Sequence, residues 1–168
     1  MNRSIQSQSG VMLIEALIGI LIFAIGILAL VAMQAAAIRT AQDARYRTEA
    51  VNYASTLLSQ VLVNVDRTTE TNLQTTLAAF QHQPSGTNCA FSGATSANAV
   101  VTQWVQLATG TTGTTPPLRL PLPGTTSAML QVAVDTSLGA YNRVSITVCW
   151  RAPDDPVARK HVLISYVT

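Results

Sequence analysis

Charge is scarce in this 168-residue chain: ten lysines and arginines stand against eight aspartates and glutamates, 11% of the residues in all. The basic residues are scattered, and no lysine–arginine run is interleaved with aromatics. That argues against a nucleic-acid partner. Histidine and cysteine are scarcer still. His82 and His161 lie on different segments without ligand-spaced neighbours, and Cys89 and Cys149 belong to no CxxC or Cys/His spacing. Neither a metal site nor a cofactor is expected. The P-loop, G-x-S-x-G and H-E-x-x-H patterns are missing too. Asp154 and Asp155 form an acidic pair, but between Pro153 and Pro156 they read as a turn. The chain is expected not to be an enzyme. Proline is absent before Pro84, and neither glycine nor proline falls between Ala29 and Val65, so nothing local stops a helix there.

Charge is missing above all from one place. Glu15 is the only charged residue between Arg3 and Arg39, and from Val11 to Met33 every other position is apolar or small. As a helix this run spans about 35 Å, slightly more than a hydrocarbon core of about 30 Å. A carboxylate at the centre of such a span costs about 2.5–3.5 kcal/mol, and less near the interface. Three readings compete. The run is a plain transmembrane anchor with Glu15 at headgroup level, or a signal peptide cut after Ala37, or a helix that is retained while the residues before Val11 are removed. The signal peptide fits poorly, because its apolar region is normally about 7–15 residues long.

"SGVMLIEALIGILIFAIGILAL" resembles the amino terminus of type IV prepilins and pseudopilins. These have a short polar leader ending in glycine and then an apolar helix with glutamate as its fifth residue. Gly10 matches the last leader residue, Val11 the first mature residue and Glu15 the glutamate. The chain departs from the pattern in having Val11 where phenylalanine is usual, Arg3 as the only basic leader residue, and no proline within the helix. Gln34, Arg39 and "RTEA" at Arg47–Ala50 are similar to the PilV subgroup of minor pilins, a likeness covering about the first third of the chain.

The resemblance implies processing by a prepilin peptidase between Gly10 and Val11, and methylation of the new amine. It implies a role for Glu15 in subunit assembly, by pairing with the Val11 amine of a neighbour. The implied domains are a leader at 1–10, a membrane or filament-core helix at 11–38, and an amphipathic continuation with a pilin-like head at 39–168. Other minor pilins, the major pilin, the inner-membrane assembly platform and a tip adhesin are the implied partners. The expected location is the bacterial inner membrane with the head in the periplasm, and the surface pilus after assembly. Priming of pilus assembly, with consequences for adhesion and twitching motility, is the implied function. Two alternatives remain: a minor pseudopilin of a type II secretion system, or a single-pass membrane protein with an exported binding domain. Arginine placement runs against the implied orientation, with one in the leader and three on the far flank.

Beyond Met33 the pattern turns amphipathic. Ile38, Val51, Ala54, Leu58, Val61 and Leu62 recur at helical offsets, with Arg39, Arg45 and Arg47 on a solvated or inter-subunit face. One helix is expected from about Val11 to Val63, and Gly19 and Gly26 share one of its stripes. About 130 residues follow Arg39, enough for a modest core. "NLQTTLAAFQHQ" predicts a short helix, and "SANAVVTQWVQLA" a helix or a strand with Trp104 as a core anchor. Thr109–Pro117 reads as a low-complexity surface loop. Strands are predicted at Ala128–Val134, Arg143–Trp150 and His161–Val167. The predicted fold class is α+β: a long amino-terminal helix packed on a small antiparallel sheet. Cys89 and Cys149 read as two buried thiols in a cytosolic chain, or as a disulfide in an exported one. Such a bridge closes about sixty residues and contributes roughly 4 kcal/mol in the chain-entropy model.

Overall fold

The computed structural model describes residues 9–111, 120–137, 139–153 and 155–168. Most of the leader, residues 112–117 of the low-complexity loop and Asp154 lie outside them. The fold is α+β, with a long amino-terminal helix and small antiparallel sheets. Two compact units divide the chain, 1–43 and 44–168.

Helix α1 runs from Ser9 to Asn64, 56 residues or about 84 Å. In the first unit its side chains from Val11 to Gln42 are exposed, and the apolar window that would fit a membrane is not buried at all. From Ala50 onward the same helix carries a buried stripe of Ala50, Tyr53, Ala54, Leu57 and Val61, continued by Val65 just past its end. These offsets of three, four and seven residues keep one face turned to the core. The predicted stripe was partly misplaced. Ala54 and Val61 are buried, but Val51 and Ile38 are exposed, because the helix turns its Tyr53–Leu57 face inward.

Helix α2 spans Glu70–Ala78, two residues earlier than the sequence suggested, because the Thr69 side chain caps it by accepting from the Asn72 amide. Residues 79–83 leave the helix rather than extending it. Two three-residue strands, β1 (Ser85–Thr87) and β2 (Ala90–Ser92), then form a hairpin that the sequence did not reveal. Its turn residues, Asn88 and Cys89, have φ of 55° and 64°, as a two-residue type I′ turn requires. Gly86 is needed because a Cβ there would collide with the Ala90 carbonyl.

Helix α3, Ala99–Thr109, settles the helix-or-strand alternative. Asn98 caps its start and Gly110, at φ 76°, its end. The main sheet has the order β3–β4–β5, all antiparallel: β3 is Leu130–Asp135, β4 Arg143–Trp150 and β5 Arg159–Tyr166. β3 starts two residues later than predicted, since Ser127–Met129 form a short 3₁₀ turn, and β5 starts two residues earlier. Val144, Ile146, Val148 and Trp150 fill the core face of β4 and meet the α1 stripe, Leu73, Leu77, Val101 and Trp104 in one apolar cluster.

Tyr53 joins these layers. Its single hydroxyl proton is shared between the carbonyls of Leu107 and Leu120, each at 3.1 Å, and its own carbonyl accepts the Trp104 indole N–H at 3.0 Å. Leu107 lies in the last turn of α3, where helix carbonyls have no partner within the helix. The neighbouring carbonyls are also satisfied, Gln106 by the Thr111 amide and Ala108 by the Leu122 amide. Tyr53→Phe removes the donor to Leu107 and Leu120 while keeping the ring, and should cost about 1–3 kcal/mol. Urea unfolding followed by near-ultraviolet circular dichroism measures this, and unchanged stability would mean that water replaces the hydroxyl.

Candidate functional site

The first unit presents a single unusual group. Glu15 lies four residues after Val11, one helical turn on, and is exposed along with every neighbour. It meets no hydrogen-bond or ion-pair partner among the described residues. The Gly10–Val11 peptide bond falls in the first turn of α1, where four amide groups lack intrahelical acceptors and fraying is easiest. Glu15 lies beyond that first turn, which itself holds no acidic residue. Gly19 and Gly26 have open space where a Cβ would be, so nothing within the chain packs on them.

The second unit holds the cysteines, the histidines and Asp155. Cys89 and Cys149 form a disulfide across 60 residues. This contributes about 4 kcal/mol in the chain-entropy model. The bridge ties the β1–β2 turn to β4, and it explains why a cysteine occupies a left-handed turn position better suited to glycine. Cys149 alternates with the core residues of β4 and so faces the other side of the sheet.

His82 was left without a role by the sequence and proves to be a structural junction. It is buried, and its backbone exchanges hydrogen bonds of 3.0 and 2.9 Å with Val132 of β3. Its Nδ1 accepts the Ser96 amide at 3.2 Å, so the ring proton belongs on Nε2, which faces the Ser127 carbonyl at 3.4 Å. Protonation would set an N–H against the N–H of Ser96. Burial lowers the His82 pKa below its ordinary value, and the Ser127 carbonyl only partly opposes this. His161 lies on β5, away from this junction.

Asp155 pairs with Arg159 at 2.8 Å, and its carbonyl accepts from the Arg151 guanidinium. It serves the turn between β4 and β5. No group of three or more histidine, cysteine or acidic side chains is placed to hold a metal among the described residues. Arg39, Arg45 and Arg47 are exposed. Comparison of the chain with family models, with curated proteins and with solved structures gives no match in any of the three.

The His82 junction predicts an acid-sensitive head. A histidine whose folded pKa is depressed leaves the unfolded state binding more protons, so stability is full above about pH 6.5 and falls as pH drops toward the lower native value. Melting temperatures between pH 7.5 and 5 should decline, and His82→Gln should flatten that part of the curve. An equally steep decline in the variant would place the acid sensitivity elsewhere.

Proposed function

We propose that this chain is a minor pilin of a type IV pilus, held in the inner membrane by the first part of α1 until it enters the filament. Glu15 carries the reading: it is the sole charge in a membrane-length apolar helix, it has no partner within the chain among the described residues, and it stands five positions beyond Gly10. Cleavage after Gly10 by a prepilin peptidase creates a positive amine on Val11. In the mature monomer the amine and Glu15 lie about one turn apart at the end of the helix. In a filament, Glu15 of one subunit meets the amine of the next.

Electrostatics makes that contact a register device. An isolated charge in an apolar bundle carries a desolvation penalty of several kcal/mol, and a well-matched pair offsets it. Only one axial offset between neighbouring helices brings the two groups together. Any other offset leaves two charges buried alone. The bare apolar surface from Val11 to Ile38 supports the same reading, since it must be covered by lipid before assembly and by neighbouring helices afterwards. Small residues such as Gly19 and Gly26 permit close helix approach.

The head suits a periplasmic position: its disulfide requires an oxidising compartment. Partners in this reading are the major pilin, other minor pilins, the assembly platform and a tip adhesin. The role is to prime assembly, with effects on adhesion and twitching motility. Intact mass of the chain extracted from membranes tests the processing step. A chain beginning at methylated Val11 is expected. One beginning at Met1 would leave Glu15 without an amine and indicate an ordinary anchor, while one beginning at Ile38 would indicate a secreted protein.

A further inference from the structure

Strand β5 is an uncovered edge of the main sheet. β4 pairs with it over all eight residues, from Arg143 opposite Tyr166 to Trp150 opposite Arg159. No strand pairs with its other side among the described residues. The opposite edge of the sheet is closed. There β3 exchanges two backbone hydrogen bonds with His82, the Gln81 side-chain Nε2 donates to the Val134 carbonyl, and the Gln131 side-chain Nε2 donates to the Gln83 carbonyl.

Bare edges attract other strands, and proteins usually protect them with charge, proline or a bulge. From Val162 to Tyr166, β5 has no charge, no proline and no glycine. Its side chains alternate. Leu163 packs on the core, while Val162, Ile164 and Tyr166 are 42%, 51% and 59% exposed on the other face. The strand thus offers solvent an apolar ladder about 13 Å long beside backbone groups that no further strand pairs with among the described residues. Lys160 heads the ladder on the same face. The nearby arginines are neutralised, Arg159 by Asp155 and Arg143 by Asp135. Lys160 has no ion pair among the described residues.

We propose that β5 is a docking edge for one extended segment of a different protein chain, which adds to the sheet as a fourth strand. The segment carries apolar side chains at alternate positions to cover Val162, Ile164 and Tyr166, and a carboxylate placed to meet Lys160. Main-chain hydrogen bonds supply affinity in this mode, and the alternate side chains supply selectivity. A second copy of this chain fits less well. Its β3 edge is closed by His82, and its β5 contains no acidic residue to meet Lys160. The proposal does not depend on the pilin reading, because it uses only the head.

Photo-crosslinking of the full-length chain in the membranes of its producing cells tests this. A benzophenone side chain is placed in turn at positions 162, 164 and 166, with Ser55, on an exposed face of α1, as control. The expected result is crosslinks from the three β5 positions to every second residue of a single segment of one other chain, with an Asp or Glu where Lys160 would lie, and none from the control. Ile164→Lys, a surface change that leaves the melting temperature unaltered, should lower the yield from position 162 at least tenfold. Crosslinks between two differently tagged copies of this chain, crosslinks scattered over several proteins without alternate spacing, or no crosslinks at all would overturn the proposal.

Discussion

One helix, α1, carries apolar side chains over two stretches, and the chain covers only the second. From Ala50 to Val65 a stripe is buried beneath the sheet and α3. From Val11 to Ile38 apolar side chains are 44–74% exposed wherever they are large. A soluble monomer does not leave so continuous an apolar surface in water. The helix is long and apolar enough to cross a membrane; in the proposed reading lipid or other helices supply its environment, and Glu15 is the one charged group within it.

The head depends on a different kind of fit. Its core is held in place by polar groups as well as apolar ones: Tyr53 donates to the Leu107 carbonyl at the end of α3 and to that of Leu120, the Trp104 indole satisfies the Tyr53 carbonyl, and His82 closes the β3 edge. Each is a buried hydrogen bond whose loss costs more than its formation contributes. The disulfide pins the small β1–β2 hairpin, which has no core of its own, to β4. One edge of the sheet is thus finished within the chain, and no strand pairs with the other, β5, among the described residues.

How far the sequence revealed this depended on the range of the interactions involved. β4 was read residue for residue, because Val144, Ile146, Val148 and Trp150 alternate with smaller or more polar residues over a full strand. Helix α1 was legible from its apolar run and from the absence of glycine and proline between Ala29 and Val65. Its buried face was not, since apolar residues after Arg39 occur on several sides, and only packing selects Tyr53 and Leu57 over Val51. The β1–β2 hairpin escaped because three-residue strands show no period and Asn88–Cys89 lacks the glycine that usually marks such a turn. The His82 junction was invisible for another reason: its partner Val132 is fifty residues away in sequence. The spacing of Gly10, Val11 and Glu15 is visible in the sequence, and the role proposed for these residues rests on that spacing.

The central claim is that Glu15 is kept for a partner outside the chain. Its most direct test is the amount of Glu15→Gln protein in sheared surface filaments, relative to that in the membrane. Glutamine keeps the size and hydrogen-bonding capacity of the side chain and removes only the charge. The account predicts a normal membrane level and at least a tenfold loss from filaments. Incorporation equal to that of the native chain would contradict it, and would make Glu15 an incidental charge near the end of an ordinary membrane helix.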